Sequence, residues 1–521
     1  MTPLALQVGQ YRAIDPLPTQ GCLVFPANAN PDSAEYLLVP QAITETPDLT
    51  ATFKLAGGTP AMAAAQVTAA EQGYPLSPPQ RFHQMLREME QTRAYVSVAG
   101  PVSARAQGAP RVPAVIGVGD QRGFRVLSSI TKFVFDSVFA TVKSVGQHVA
   151  LYVDNAVPAN GLTTADFDAL RDAFDQKLYP ADTAAFGRES DIDGNGLVLV
   201  LMTNVVNKMV TAADCLATGY VAGFFYSADI DLNVAASFNN GEIFYTMAAD
   251  PAGALSCAHS TTQVNRVVAG TLVHEFQHMI SYNQHVRIRR PGKAEVLWLN
   301  EAMSHYAEEL GGRTFLPGDS TSFCNYVNGD LYNAGQYFMA PGDHPLVDTL
   351  GIGGLAERGA GWLFVRYLVD RFAQDTTLAA QNAVTRALDM TSVTGTNNVA
   401  QATGAPFATT VGEWALANWA SDAPGFTAPT VLKYKKWKFR SAFGGGTQCG
   451  TFIPQSFPLV AAAGAGPGIN LSGNMPSGSG AAYQRAFQGG SAASFTLLFS
   501  DMTGAQLKAT VLPRLNVLRI R

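Results

Sequence analysis

Apolar side chains recur every three or four residues along Val264 to Ser281, Asn300 to Leu310, Leu355 to Phe372 and Phe407 to Ala420, which predicts four helices. A fifth is expected around Gln80 to Gln91. From Val134 to Val153 the period shortens toward two, the pattern of paired strands. Thr163 or Thr164 can then cap a helix that carries Phe167, Leu170 and Phe174 on one face. Asp191 to Met202 (DIDGNGLVLVLM) is an acidic turn followed by a short, wholly apolar run of the sort a buried strand shows. Near the two ends the helical period is missing. Glu35 to Val39 and Thr52 to Leu55 in the first hundred residues, and Ser494 to Phe499 and Leu507 to Leu512 in the last hundred, are short extended runs between Gly, Pro, Ser and Thr turns. Residues Gly100 to Gly119 hold three prolines and four glycines and predict a linker. The expected fold is α+β. A central domain over 115–426 is flanked by an N-terminal β-rich domain over 1–114 and a C-terminal β-sandwich-like domain over 427–521.

A length of 521 residues suits about three domains. Charged residues are 14% of the chain, against about 25% in an average protein, so long disordered charged tracts are not expected. Thirty-five basic and 40 acidic residues leave a formal charge of −5. No basic stripe offers nucleic acid a footprint. The longest uninterrupted apolar run, Leu197 to Met202, is far shorter than a membrane span requires. The first twenty residues lack a basic start followed by an apolar core, so no signal peptide is expected within this chain. Of the five cysteines, Cys215 and Cys257 would pair if the protein is exported, or lie buried as small hydrophobes. The chain carries no signal for an oligomeric state.

The chemistry concentrates in Val273-His274-Glu275-Phe276-Gln277-His278, an HExxH inside a predicted helix. Residues four apart share a helix face, so His274 and His278 can aim their imidazoles at one metal ion. Glu275, about 100° round the helix, can reach a water on that ion and act as general base. A catalytic zinc takes three protein ligands and keeps a position for water. Glu301 is the next candidate ligand, with Asn300 as the expected N-cap of a second helix and Glu301 in its first turn. His305 and Glu308 follow on the same face, placed to bond a ligating imidazole or to lean toward substrate. Tyr282, His305, Tyr332, Tyr337 and His344 are candidate donors to an oxyanion.

HEFQH followed by WLNEAMSHYAEE resembles the gluzincin metallopeptidases, and the wording HEFQHMI…WLNEAMSH is most similar to the hyicolysin-type family. The likeness spans about residues 115 to 425. It implies a zincin-like catalytic domain, one catalytic zinc held by His274, His278 and Glu301, and Glu275 as base. It also implies that Glu242 to Met247 (EIFYTM) is the edge strand along which a peptide lies. In thermolysin-like relatives the residue four after the ligand glutamate is Asp, whereas here it is His305.

Asp191, Asp193, Asn195 and Gly196 copy positions 1, 3, 5 and 6 of a calcium loop and would suit Ca2+, but position 12 is Met202 and a strand follows. A plain acidic turn is the simpler reading. His83, His148 and His259 have no partners at ligand spacing and read as structural. The expectation is therefore a secreted or periplasmic zinc endopeptidase acting on protein or peptide substrates. A binding or adhesion protein built on a degenerate peptidase domain is the alternative, and the intact Glu275 speaks against it. A metal-dependent hydrolase of another amide or ester is a third option.

Overall fold

The computed structural model describes residues 3–45, 51–58, 76–95, 115–348, 351–443, 449 and 456–521. The fold is mixed α+β and divides into two compact units. One comprises Met1–Tyr74, Gly329–Thr376 and Val399–Arg521, the other Pro75–Asn328 and Thr377–Asn398. Residues 100–114 of the expected linker lie outside the described residues. No described helix is long and apolar enough to cross a membrane.

In the first unit the two ends of the chain share their sheets. Strand Ala34–Ala42 lies between Pro513–Arg519 and Gln484–Gln488 in a five-stranded sheet. Ala51–Gly57 lies between Asn470–Met475 and Phe495–Ser500 in a four-stranded one. Phe25, Tyr36, Phe53, Leu55, Leu497, Phe499, Leu515 and Val517 form a single core from both sheets. The N-terminal and C-terminal β-rich segments, expected as separate domains, thus pair strand to strand. The reason is visible in Ala34–Ala42, where all nine residues are buried. Such a strand needs hydrogen-bonding neighbours on both edges and cover on both faces. Helices Leu355–Phe372 and Phe407–Ala420, expected within the central segment, also belong to this unit.

The second unit is built on a six-stranded sheet: β1 (Gln121–Leu127), β2 (Phe135–Val145), β3 (Val149–Asp154), β4 (Val198–Thr203), β5 (Gly223–Phe225) and β6 (Ile243–Met247). Their spatial order is β1-β2-β3-β4-β6-β5. β1, β2 and β3 run antiparallel in turn, β3, β4 and β6 are parallel neighbours, and β5 closes the edge antiparallel to β6. Every residue of β4 and β6 is buried, as parallel interior strands require. The expectation that EIFYTM forms the edge is therefore corrected. β6 is covered on its outer side by the three residues of β5, too short a strand to show a period in sequence.

The helices of this unit are α1 (Pro78–Thr92), α2 (Thr164–Ala173), α3 (Tyr179–Phe186), α4 (Thr261–Tyr282), α5 (Leu297–Arg313) and α6 (Leu378–Asp389). Ser77 and Gln80 cap α1 reciprocally, and Thr163 does the same for α2 with Asp166. α1, expected in the N-terminal domain, belongs here instead. Its apolar stripe of Phe82, Leu86 and Met89 is buried, and the Phe82 ring meets that of Phe224 on β5 edge to face at 5.1 Å. α4 packs against β5, β6, α3 and α5.

Candidate metal centre

α4 starts at Ser260, whose hydroxyl accepts from the Gln263 amide at 3.1 Å. Its first turns are amphipathic and bury Val264, Val268 and Leu272. From Leu272 to Tyr282 every residue is buried, the polar His274, Glu275, Gln277, His278 and Ser281 among them. Buried polar side chains need partners, and those of this stretch come mainly from α5, α1 and β5.

His274 Nδ1 lies 2.8 Å from Glu308 Oε1. His278 Nδ1 meets Asn300 Oδ1 and lies 3.0 Å from Ser304 Oγ. Ser304 commits its own proton to Gln277 Oε1 at 2.6 Å, so toward His278 it accepts. Both Nδ1 atoms therefore carry hydrogen, which leaves Nε2 of each ring as the atom free to ligate when that ring is neutral. Those two Nε2 atoms face each other at 3.2 Å. With both rings neutral neither can donate to the other, and a cation between them satisfies both. Two nitrogens bound tetrahedrally to one zinc would stand about 3.3 Å apart. Glu301 Oε2 is 3.5 Å from His278 Nε2, and Oε1 is 3.8 Å from His274 Nε2. Burial, and next the charge of Arg87, hold the His278 imidazole well below its usual range, which keeps it neutral. Two imidazole nitrogens and one carboxylate, converging in a largely enclosed space, fit a zinc ion.

Glu275 points its Oε2 at the Phe225 amide of β5, which donates at 3.0 Å, while Arg87 Nη2 stands 3.8 Å from the same oxygen. Oε1 is buried with no hydrogen-bond partner among the described residues, and His83 Nδ1 lies 3.6 Å away. Burial raises the Glu275 carboxyl above the ordinary range, opposed by Arg87, His274 and the Phe225 amide. Arg87 also pairs with Glu90 at 3.2 Å, and all three of these side chains are buried.

His305 and Glu308 meet on α5: His305 Nδ1 is 3.0 Å from Glu308 Oε1, the oxygen that also accepts from His274. Burial opposes ionisation of Glu308, but its bonds from His274 and His305 outweigh this and lower its carboxyl to about 2. Glu308, one turn past His305, thus orients the first histidine. The expected N-cap role of Asn300 is corrected: α5 starts at Leu297 after Val296, because Leu297, Trp298 and Leu299 are buried and helical. Asn300 lies inside the first turn, where it orients His278, and Glu301 is carried one residue further on. Tyr282 gives its hydroxyl proton to Asp231 at 2.6 Å. Tyr332, Tyr337 and His344 belong to the other unit.

Sequence reasoning missed Arg87, Asn300 and Ser304 as partners of the motif, read His83 as structural, and did not anticipate Phe225. Asp191 and Asp193 come together with Glu242, while Asn195 donates its amide to Asp193 Oδ2 at 2.8 Å and accepts from the Leu197 amide at 2.6 Å. Cys215 and Cys257 form a disulfide.

No protein-family model matches the chain. Over 210 residues it is 25% identical to the neutral metalloprotease ShpI of Staphylococcus hyicus. The likeness covers 40% of this chain and 44% of that protein, so the chain spans less than half the length of the curated relative it matches.

Proposed function

We propose that the protein is a zinc-dependent endopeptidase of the gluzincin kind, similar to the hyicolysin-type enzymes, with a zincin-like portion in the unit that carries α4 and α5. The observation that carries this reading is the pair of imidazole Nε2 atoms facing at 3.2 Å, with Glu301 beside both. The partial likeness to a metalloprotease supports it independently. His274, His278 and Glu301 would hold the ion, which supplies Lewis acidity to a water and to a scissile carbonyl.

The remaining steps belong to the chain. Glu308 and Asn300 fix the imidazoles by holding their Nδ1 protons. The Phe225 amide anchors one oxygen of Glu275 and leaves Oε1 to take the proton of the attacking water, then to return it to the departing amine. The partial likeness to a metalloprotease favours proteins or peptides as substrates. The Cys215–Cys257 disulfide supports a secreted or periplasmic location. A binding protein built on a degenerate site gives no account of a buried carboxylate oxygen without a hydrogen bond beside the two histidines.

The test is metal analysis and casein digestion with wild type and Glu275→Gln. Both should carry one zinc per chain, and proteolysis should fall roughly a hundredfold or more in the variant. Equal digestion by the two forms removes Glu275 as base, and zinc-free protein that still digests casein removes the metal.

A further inference from the structure

The acidic turn ahead of β4 plays no part in that chemistry. β4 and β6 are paired in register, Leu199 against Ile243, and the Leu199 amide donates to the Glu242 carbonyl at 2.7 Å. The turn and Glu242 therefore flank the same end of two neighbouring strands. One carboxylate oxygen each from Asp191, Asp193 and Glu242 lies within 4.8 Å of the others. Gly241 permits this approach, since a Cβ there would stand 3.1 Å from Asp193 Oδ2.

Glu242 is the independent sign of a ligand. Its side chain belongs to the strand rather than the turn, and the residue is only 1% exposed. Oε1 accepts from the Ser190 hydroxyl and, at 3.0 Å, from the Ile192 amide. Oε2 is equally buried and has no hydrogen-bond partner among the described residues. An enclosed carboxylate with one oxygen left unbonded, grouped with two more carboxylates, is costly. Arg122 Nη1, at 3.9 Å from Asp193 Oδ2, is too far to hydrogen-bond.

We propose that Asp191, Asp193 and Glu242 bind a calcium ion that pins the acidic turn to the start of β6. Calcium takes six to eight oxygens in a flexible shell that suits carboxylates from a turn and a strand, whereas magnesium demands near-ideal octahedral geometry and keeps several waters. Glu242 fills the place of the carboxylate that the loop pattern lacks at Met202. It reaches the ion from the adjacent strand instead of from twelve positions along the loop.

The experiment uses the zinc-loaded full chain, freed of calcium with a calcium-selective chelator and titrated with CaCl2 or MgCl2 by calorimetry and thermal unfolding. Wild type should bind one calcium and unfold roughly 2–5 °C higher at a hundredfold excess over Kd. Asp191→Asn, in the exposed turn, and Glu242→Gln should each bind calcium at least about tenfold more weakly. Their circular dichroism and zinc content should be unchanged. Glu275→Gln should bind calcium like wild type, which separates this site from the zinc reading. Failure of wild type to bind calcium, magnesium binding as tightly, or both turn and strand variants binding like wild type would each overturn the proposal.

Discussion

Arg87 on α1 and Glu275 on α4 face each other with 3.8 Å between Nη2 and Oε2, both side chains 1% exposed. The contact is an ion pair without a hydrogen bond, and Glu90 shares the same guanidinium. Burial raises the Glu90 carboxyl to about 8, opposed by Arg87, so near neutral pH it holds its proton and the guanidinium chiefly offsets Glu275. Arg87→Met should leave Glu275 uncompensated and cost about 3–5 kcal/mol of stability, because removing one partner of a buried pair strands the other. Urea unfolding measures this. A loss below about 1 kcal/mol would mean that the guanidinium is not the charge that holds the pair.

Glu308 and Asn300 each hold one histidine by Nδ1. Glu308→Gln and Asn300→Ala should each weaken zinc binding by about 10- to 100-fold while the fold persists. Competition against a chromogenic chelator reads the affinity. Unaltered affinity in both variants would show that the rings are positioned by packing alone.

Glu295, in the segment between α4 and α5, is buried and its carboxyl rises to about 7; bonds from Asn398, Gly395 and Val296 only partly oppose that burial. The folded group holds its proton to higher pH than an unfolded glutamate does. Its contribution is therefore complete below the ordinary value of 4.5 and disappears as pH climbs to about 7. Urea midpoints of wild type should fall across that window by an amount worth about 3 kcal/mol from this residue, and those of Glu295→Gln should fall less. Parallel curves for the two proteins would assign the pH dependence to other groups.

A Cβ on Gly311 of α5 would stand 3.0 Å from Leu178 Cδ2 and 3.4 Å from Val273 Cγ2, beside the first ligand histidine. Gly311→Val should destabilise the protein by about 1–3 kcal/mol through overpacking. By displacing α5 it should also weaken zinc binding. Retained affinity at reduced stability would show that the overpacking is absorbed without moving Glu301 relative to α4.

Several helices were legible because their periodicity and end signals are local. Leu355–Phe372 and Phe407–Ala420 match the apolar spacing at both ends, and α4 extends the expected helix by three residues at its start and one at its finish. HExxH and the downstream Glu301 were legible for the same reason, since one helix turn brings i and i+4 together. Ser320–Met339 was not anticipated: Asn325, Gly329, Asn333 and Gly335 depress helix propensity, and burial overrides them. Arg87 could not be assigned either, because a charged residue on an amphipathic helix ordinarily faces water. Only its burial beside Glu275 separates it from its neighbours, and that depends on Phe82 finding Phe224. β5 became visible only once β6 was known to need a neighbour.

Glu35 and Arg485 form an ion pair across 450 residues of chain, and the strand that carries Glu35 is held between two strands from the last forty positions. At a synthesis rate of about 5–20 residues per second, this strand waits roughly 20 to 90 s for its mates to leave the ribosome. During that interval its apolar Tyr36, Leu37, Leu38 and Val39 have no sheet to enter. The strand is thus among the last to settle, and a nascent chain interrupted before its mates are made would expose an adhesive strand where the finished molecule has a closed interior.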